Sequence, residues 1–291
     1  MSRLLPSLFS HLTGARLYLA LSAEGIAIVQ QSSGFKKQLI KQQYVSNNQA
    51  KNSANWQSIV NQLDDSLSQL KPAKNTLVTV VLSSDFVRYL ILPVQQIAMN
   101  FAEKTAYVQA AYREIYGAAA DSWQIKCHDS APHQSTLAVA TDSQLIVALS
   151  QLMAKHQLNL HSVQPYLMTA FNGLMPQIAQ KNGYLVLLEN TKLQLVQLQN
   201  GICQQLRTVS CHDDWQLDLQ QAIQRETVLN EHAENRVLVY APAHKNTSLK
   251  PMQGFTIEKI GEKIGLKNGL SNRPKNELIN DAHFALLEAV I

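Results

Sequence analysis

A spacing of 167 residues constrains this chain more than any other feature. Leu17–Leu39 (LYLALSAEGIAIVQQSSGFKKQL) and Tyr184–Leu206 (YLVLLENTKLQLVQLQNGICQQL) align without a gap. Val29 falls on Val196 and Gly34 on Gly201. Leu21, Gln30, Gln38 and Leu39 fall on Leu188, Gln197, Gln205 and Leu206. At Leu19/Val186, Ile26/Leu193 and Ile28/Leu195 the identity changes but the apolar alternation is kept. Alternation with a period of two marks strands. A strand meander repeated this far apart predicts two similar lobes. The alternative is two amphipathic hairpins aligning by chance in a Leu- and Gln-rich chain.

At 291 residues the chain is long enough for one two-lobed domain or two ordinary ones. Hydrophobic residues make up 46% and charged residues 16%, a globular balance. The net charge of +4 is spread over scattered Lys and Arg, with only small clusters such as Lys36-Lys37. There is no basic stripe, which argues against nucleic-acid binding. Cys127, Cys203 and Cys211 are odd in number and have no CxxC spacing, so neither a disulfide framework nor a zinc site is expected. His212 beside Cys211 lacks a second pair of ligands nearby. No run reaches the roughly 18 apolar residues of a spanning helix. In Met1–Leu21, Pro6, His11, Gly14 and Arg16 interrupt what would otherwise read as a signal peptide. A soluble protein of a reducing cytoplasm is the expectation.

Along the chain, Leu4–Leu12 reads as a short amphipathic start that packs on the body or touches a partner. Turns are expected at Ala23-Glu24-Gly25 and Ser32-Ser33-Gly34. Trp56 to Leu70 recurs at helical spacing up to Pro72. Leu77–Leu82 suits a strand covered on both faces, Ser83-Ser84-Asp85 breaks it, and Phe86–Leu92 is a second strand. Phe101–Tyr116 predicts a helix with Tyr107, Ala111 and Ile115 on its apolar face and Gly117 as its stop. Trp123–Cys127 and Ser135–Thr141 read as paired strands. A helix from Asp142 to His156, a strand over Asn159–Val163 and a helix over Gln164–Gln180 with Pro165 in its first turn follow. After Tyr184–Val209 come a helix over Asp213–His232, strands Arg236–Tyr240 and Phe255–Ile260, a loop over Gly261–Lys275 and a closing helix Asp281–Val290. Strands precede a helix in each half, so the class is α/β.

The segments VVLSSDFVRYLILPV (Val80–Val94), AEKTAYVQAAYREIYG (Ala102–Gly117) ahead of Trp123, and NLHSVQPYLMTAFN (Asn159–Asn172) form a recognisable succession. With the duplicated meander it resembles the actin-like proteins of type IV pilus and type II secretion assembly, the PilM and GspL (EpsL) families. The resemblance covers most of the first lobe and, more loosely, the second meander. It implies a two-lobed actin-like fold, a duplicated ribonuclease H-like architecture, with an α+β accessory subdomain inserted in the first lobe. The first lobe is then residues 1–180, with the accessory subdomain over about 77–141, and the second is 181–291.

Actin-like ATPases hold ATP with Asp-x-Gly turns at the tips of the two equivalent hairpins. Asp positions Mg²⁺ and the attacking water, and Gly lets backbone N–H groups reach phosphate oxygens. Here the first tip reads Ser22-Ala23-Glu24, with no Asp from Leu17 to Gln31. The second reads Glu189-Asn190-Thr191, with neither Asp nor Gly from Tyr184 to Asn200. Glu24 or Glu189 would have to carry a metal with one methylene too many, beside Cβ atoms where phosphate should sit. The strand that should end in a Gly-Gly turn ends Tyr240-Ala241-Pro242-Ala243, and Pro242 removes an N–H. No GxSxG, HExxH, GxGxxG or GxxxxGK pattern occurs.

No catalytic residue, cofactor or metal is therefore expected. The resemblance implies a cytoplasmic scaffold peripheral to the inner membrane. Its partner would be a PilN- or GspM-like bitopic protein whose cytoplasmic tail it docks on, with the assembly ATPase as a further contact. Arg88, Tyr89 and Tyr116 are the candidate partner-binding residues. Arg88 in FVRYLIL either lines a groove or sits on the solvent face of an edge strand. An actin-like ATPase or sugar-kinase relative with atypical phosphate loops is the alternative.

Overall fold

The two repeats become hairpins in the same register. In the first, β1 (Arg16–Ser22) runs antiparallel to β2 (Gly25–Gln31), with Leu21 opposite Ile26 and Leu19 opposite Ile28. In the second, β9 (Gly183–Leu188) and β10 (Lys192–Gln199) set Leu188 opposite Leu193 and Val186 opposite Leu195. These are the same pairs displaced by the sequence spacing. Each hairpin continues into a third antiparallel strand, β3 (Leu39–Ser46) or β11 (Ile202–Ser210). A helix follows, α1 (Trp56–Leu70) or α5 (Trp215–Leu229). The chain then returns as a strand parallel to the first of its set, β4 (Leu77–Leu82) or β12 (Arg236–Tyr240). With β8 (Asn159–Pro165) and β13 (Thr256–Lys259) at the far edges, the sheets read β3-β2-β1-β4-β8 and β11-β10-β9-β12-β13. The topology is duplicated strand for strand.

The computed structural model describes residues 15–32, 39–47, 55–94, 99–127, 134–229, 235–261 and 282–291. The start at Leu4–Leu12, the turn around Gly34, the loop beyond Gly261 and the expected helix end at His232 lie outside them. The chain divides into two compact units. The first is Met1–Phe86 with Gln144–Thr169 and Lys263–Ile291, and the second is Val87–Ser143 with Ala170–Glu262.

In the first unit, β1, β2 and β4 are buried almost throughout, as continuous apolar runs covered on both faces must be. Helix α1 is capped by Asn55, whose side chain accepts from the Gln57 N–H at 2.9 Å. It buries Ile59, Leu63 and Leu67 at a spacing of four and stops at Lys71, left-handed at φ 48° before Pro72. Helix α3 (Ser143–Lys155) follows directly on Asp142. Pro165 ends β8 instead of opening the next helix, and α4 (Tyr166–Ile178) begins one residue later. Because β8 is an edge strand, a residue with no N–H fits there. The closing segment is a short 3₁₀ turn, Ala282–Leu287, not the expected helix Asp281–Val290. Phe284, Leu286 and Leu287 are buried, and His283 stacks on Tyr44 at 3.7 Å.

In the second unit β5 (Val87–Leu92), β7 (Thr136–Asp142) and β6 (Trp123–Cys127) form a separate antiparallel sheet, ordered β5-β7-β6. Helix α2 (Phe101–Tyr116) covers one face. A capping box starts it, with Asn100 and Glu103 each bonding the other's N–H at 3.0 and 2.9 Å, and Gly117 at φ +65° ends it. Its fully buried residues are Val108 and Tyr112; Tyr107 and Ala111 of the expected face pack half-buried against the same core, and only Ile115 is exposed. Tyr112 fixes this packing. Its ring meets Trp123 edge-on at 6.1 Å and its hydroxyl donates to the Arg88 carbonyl at 2.9 Å. Asn200 (φ 53°) and Gly201 (φ 74°) close the β10–β11 hairpin with both central residues left-handed, as the tightest hairpin turn requires.

Candidate functional site

The first hairpin tip is held from three sides within its own unit. Asn47 donates its backbone N–H to the Glu24 carbonyl at 2.7 Å and its side-chain amide to the Ala23 carbonyl at 3.0 Å. Gln62 of α1 donates to Asn47 Oδ1 at 3.1 Å, and the Tyr44 hydroxyl donates to Glu24 O at 3.2 Å. The Ala23 N–H donates to Asp85 Oδ2 at 2.8 Å, and Ser83 Oγ donates to that same oxygen at 2.8 Å. Asp85 belongs to the turn after β4, which reads in sequence as nothing more than a strand break. A carboxylate thus lies on the backbone N–H of a tip whose counterpart in actin-like ATPases would face phosphate.

The second tip is built differently. Glu189 is buried, and the fully buried Gln194 donates its side-chain amide to Glu189 Oε1. The Glu189 N–H bonds Lys192 O at 2.9 Å and Thr191 O accepts from Cys211 N–H at 2.8 Å, leaving the Asn190 and Thr191 side chains exposed. Ser22 is buried with its hydroxyl on Gly25 O at 3.2 Å, while Ala23 and Glu24 are half-buried. Beyond β12, Pro242–His244 forms a 3₁₀ turn. Lys259 Nζ donates to the carbonyls of His244, Lys245 and Thr247 at 2.5, 2.8 and 2.8 Å. Burial, reinforced by the Lys259 charge, lowers the His244 pKa. A cation therefore gathers the carbonyls where the resemblance would put an adenosine-cradling turn. Among the described residues, no three His, Cys, Asp or Glu side chains group as a metal site, and no helix is long and apolar enough to cross a membrane.

The three partner-binding candidates divide between two faces of the small sheet. Arg88 is exposed, with its guanidinium donating to Val87 O at 2.9 Å. Strand alternation puts Arg88 on the α2 side with Leu90 and Leu92, which pack in the core under that helix. Tyr116 lies on the same side, 5.0 Å from Trp123 and 6.0 Å from Tyr112 between ring centroids. Tyr89 points the other way and lines a groove of about 430 Å³ with Ile91, Pro93 and the Gln204–Arg207 stretch of β11. Nothing in the sequence of β11 marks it as part of a site.

The three cysteines are free thiols. Burial pushes Cys203 up to about 12, and burial with the nearby Asp218 charge pushes Cys211 up to about 11. The thiolate is the reactive form, so a disulfide-exchange reagent added to native protein is expected to label the half-buried Cys127 and spare the other two until denaturant is added. Rapid labelling of Cys203 in the native state would contradict this packing.

The sequence matches no protein-family model, and no curated protein matches it. Solved structures do match. The PilM-PilN type IV pilus biogenesis complex aligns over 94% of this chain and 96% of that one, with TM-score 0.64 and 11% identity. The cytoplasmic domain of EpsL, an inner membrane component of the type II secretion system of Vibrio cholerae, aligns over 85% and 90%, with TM-score 0.53 and 13% identity. A Bacteroides thetaiotaomicron protein with an actin-like ATPase fold and unknown function aligns over 80% and 84%, with TM-score 0.53 and 9% identity. The fold is the actin-like one that the resemblance implied.

Proposed function

We propose that this chain is a non-catalytic actin-like scaffold of a type IV pilus or type II secretion-like assembly. It acts at the cytoplasmic side of the inner membrane, docked on the cytoplasmic tail of a bitopic partner of PilN or GspM type, with the assembly ATPase as a second contact. The fold shared with PilM in its complex with PilN, and with the cytoplasmic domain of EpsL, supports the setting. The observation that carries the non-catalytic part is Asp85. Its carboxylate already accepts the Ala23 N–H and the Ser83 hydroxyl, so a phosphate approaching that tip would meet an occupied donor and a like charge. At the other tip, Glu189 spends one oxygen on the Gln194 amide inside the protein. The docking surface is the small sheet and its helix, around Arg88, Tyr89 and Tyr116.

Thermal melting tests both halves. Millimolar Mg-ATP is expected to leave the melting temperature unchanged. A nucleotide present at a hundred times its dissociation constant would add about 2.7 kcal/mol, a rise of several degrees for a chain of this size. The cytoplasmic tail of a PilN-type protein from the same organism, added as a peptide, is expected to raise it. A rise with Mg-ATP would return the chain to the ATPase reading.

A further inference from the structure

We infer that the groove between β5 and β11 receives an extended acidic segment of a partner protein, whose carboxylate Arg207 binds. This rests on the docking reading above and narrows it to one place. The groove touches consecutive residues of both strands, Tyr89 through Ile91 and Gln204 through Arg207. Neighbours in a strand point to opposite faces, so such a groove runs along strand edges and not across a sheet face. Both strands stand at the ends of their sheets, β5 in the order β5-β7-β6 and β11 in the order β11-β10-β9-β12-β13. Beside them the buried Ser135 hydroxyl donates to the Cys203 carbonyl at 2.6 Å, which fixes the two sheets to each other within this unit. From Tyr89 to Val94 the wall is at most roughly 16 Å long at about 3.3 Å per residue, enough for about five extended residues.

The two walls differ in chemistry. Tyr89, Ile91, Pro93 and the exposed Val94 offer apolar surface. Among the described residues Arg207 is the one charged residue of the lining. Its side chain is 47% exposed, and Nε is held by Glu226 Oε1 at 2.9 Å, a carboxylate that is itself 7% exposed. Among the described residues Glu226 is its only partner, so the grip on Nε orients the guanidinium while the terminal nitrogens keep their donors. That planar pair of N–H groups matches a carboxylate through two parallel hydrogen bonds. An acidic residue flanked by apolar ones, in extended conformation, satisfies both walls together.

The test is to pan phage-displayed random dodecapeptides on the full chain and measure the selected peptides by fluorescence anisotropy. Enriched peptides are expected to carry Asp or Glu beside apolar residues. Arg207→Gln is expected to weaken them about tenfold or more, the effect of losing hydrogen bonds to a charged group. Tyr89→Ala should also weaken them. Arg207→Lys, which keeps the charge and loses the fork, should fall between, and it guards against Arg207→Gln failing to fold. Arg113→Gln, whose guanidinium pairs with Asp121 on the 3₁₀ turn after α2, should change nothing. Peptides insensitive to Arg207 and Tyr89 but lost in Tyr116→Ala would overturn the groove while leaving the scaffold reading standing. No enrichment, or a wild-type dimer by light scattering that Arg207→Gln dissolves, would also overturn it, the latter by making the occupant a second copy. Failure of the scaffold reading itself is read separately, in the response to Mg-ATP.

Discussion

Gly25→Val is expected to destabilise the first unit by about 3 kcal/mol or more, combining dihedral strain with overpacking. Gly25 sits at φ +159°, where a Cβ would lie 2.3 Å from the Val45 carbonyl oxygen and 2.7 Å from the Tyr44 hydroxyl. The carbonyl is fixed by the β2–β3 pairing, which sets Gly25 opposite Ser46 and Ile26 opposite Val45, so it cannot retreat without breaking the ladder. Nor can the tip swing away, because Asn47 and Asp85 hold Glu24 and Ala23. The same change at Gly254 meets nothing within 4 Å and carries only the strain of φ +80°. Urea melts should show a lower midpoint at unchanged slope for Gly25→Val and a clearly smaller effect for Gly254→Val. Equal effects would mean that the close approach at the tip is not what demands glycine.

Leu287→Ala is expected to lose about 2–5 kcal/mol, the range for a fully buried leucine whose cavity cannot collapse. Leu287 is 0% exposed in a short 3₁₀ turn far along the chain from β1 and β2, on which that turn packs. Burial of Phe284, Leu286 and Leu287, with the His283–Tyr44 stack, anchors the turn on the first sheet. Leu39→Ala on the edge strand β3, where the side chain is 38% exposed, should stay within about 0.5 kcal/mol. A Leu287→Ala protein as stable as wild type would show that this turn does not cover the first sheet in solution.

Strong local signals were legible. Gly117 lies next to the turn it stops, so the end of α2 follows from the sequence. The duplicated hairpins were legible because one register slip would turn every apolar side chain to the wrong face. Which residues of α2 are buried deepest was not, since Tyr112 is chosen by Trp123 and the Arg88 carbonyl, partners distant in sequence. Pro165 suits a helix start as well as an edge strand, and only the position of β8 in its sheet decides between them.

The site divides in the same way. That the two tips lack Asp-x-Gly chemistry is written in the residues Ser22 to Glu24 and Glu189 to Thr191. What replaces it is not. Asp85 reaches Ala23 across 62 positions because β4 lies parallel to β1, which brings the turn after one strand against the tip of the other. Glu189 turns inward because Gln194, five residues on, is buried on the facing strand. Tyr89 and Arg207 meet along one groove only because two separate sheets bring their edge strands together. Periodicity, caps and repeat spacing are local or self-similar, so the linear sequence by itself determined the class, the duplication and the absence of Asp-x-Gly residues at the two tips. Contacts between residues far apart depend on which strand lies beside which, and that only the tertiary structure decided.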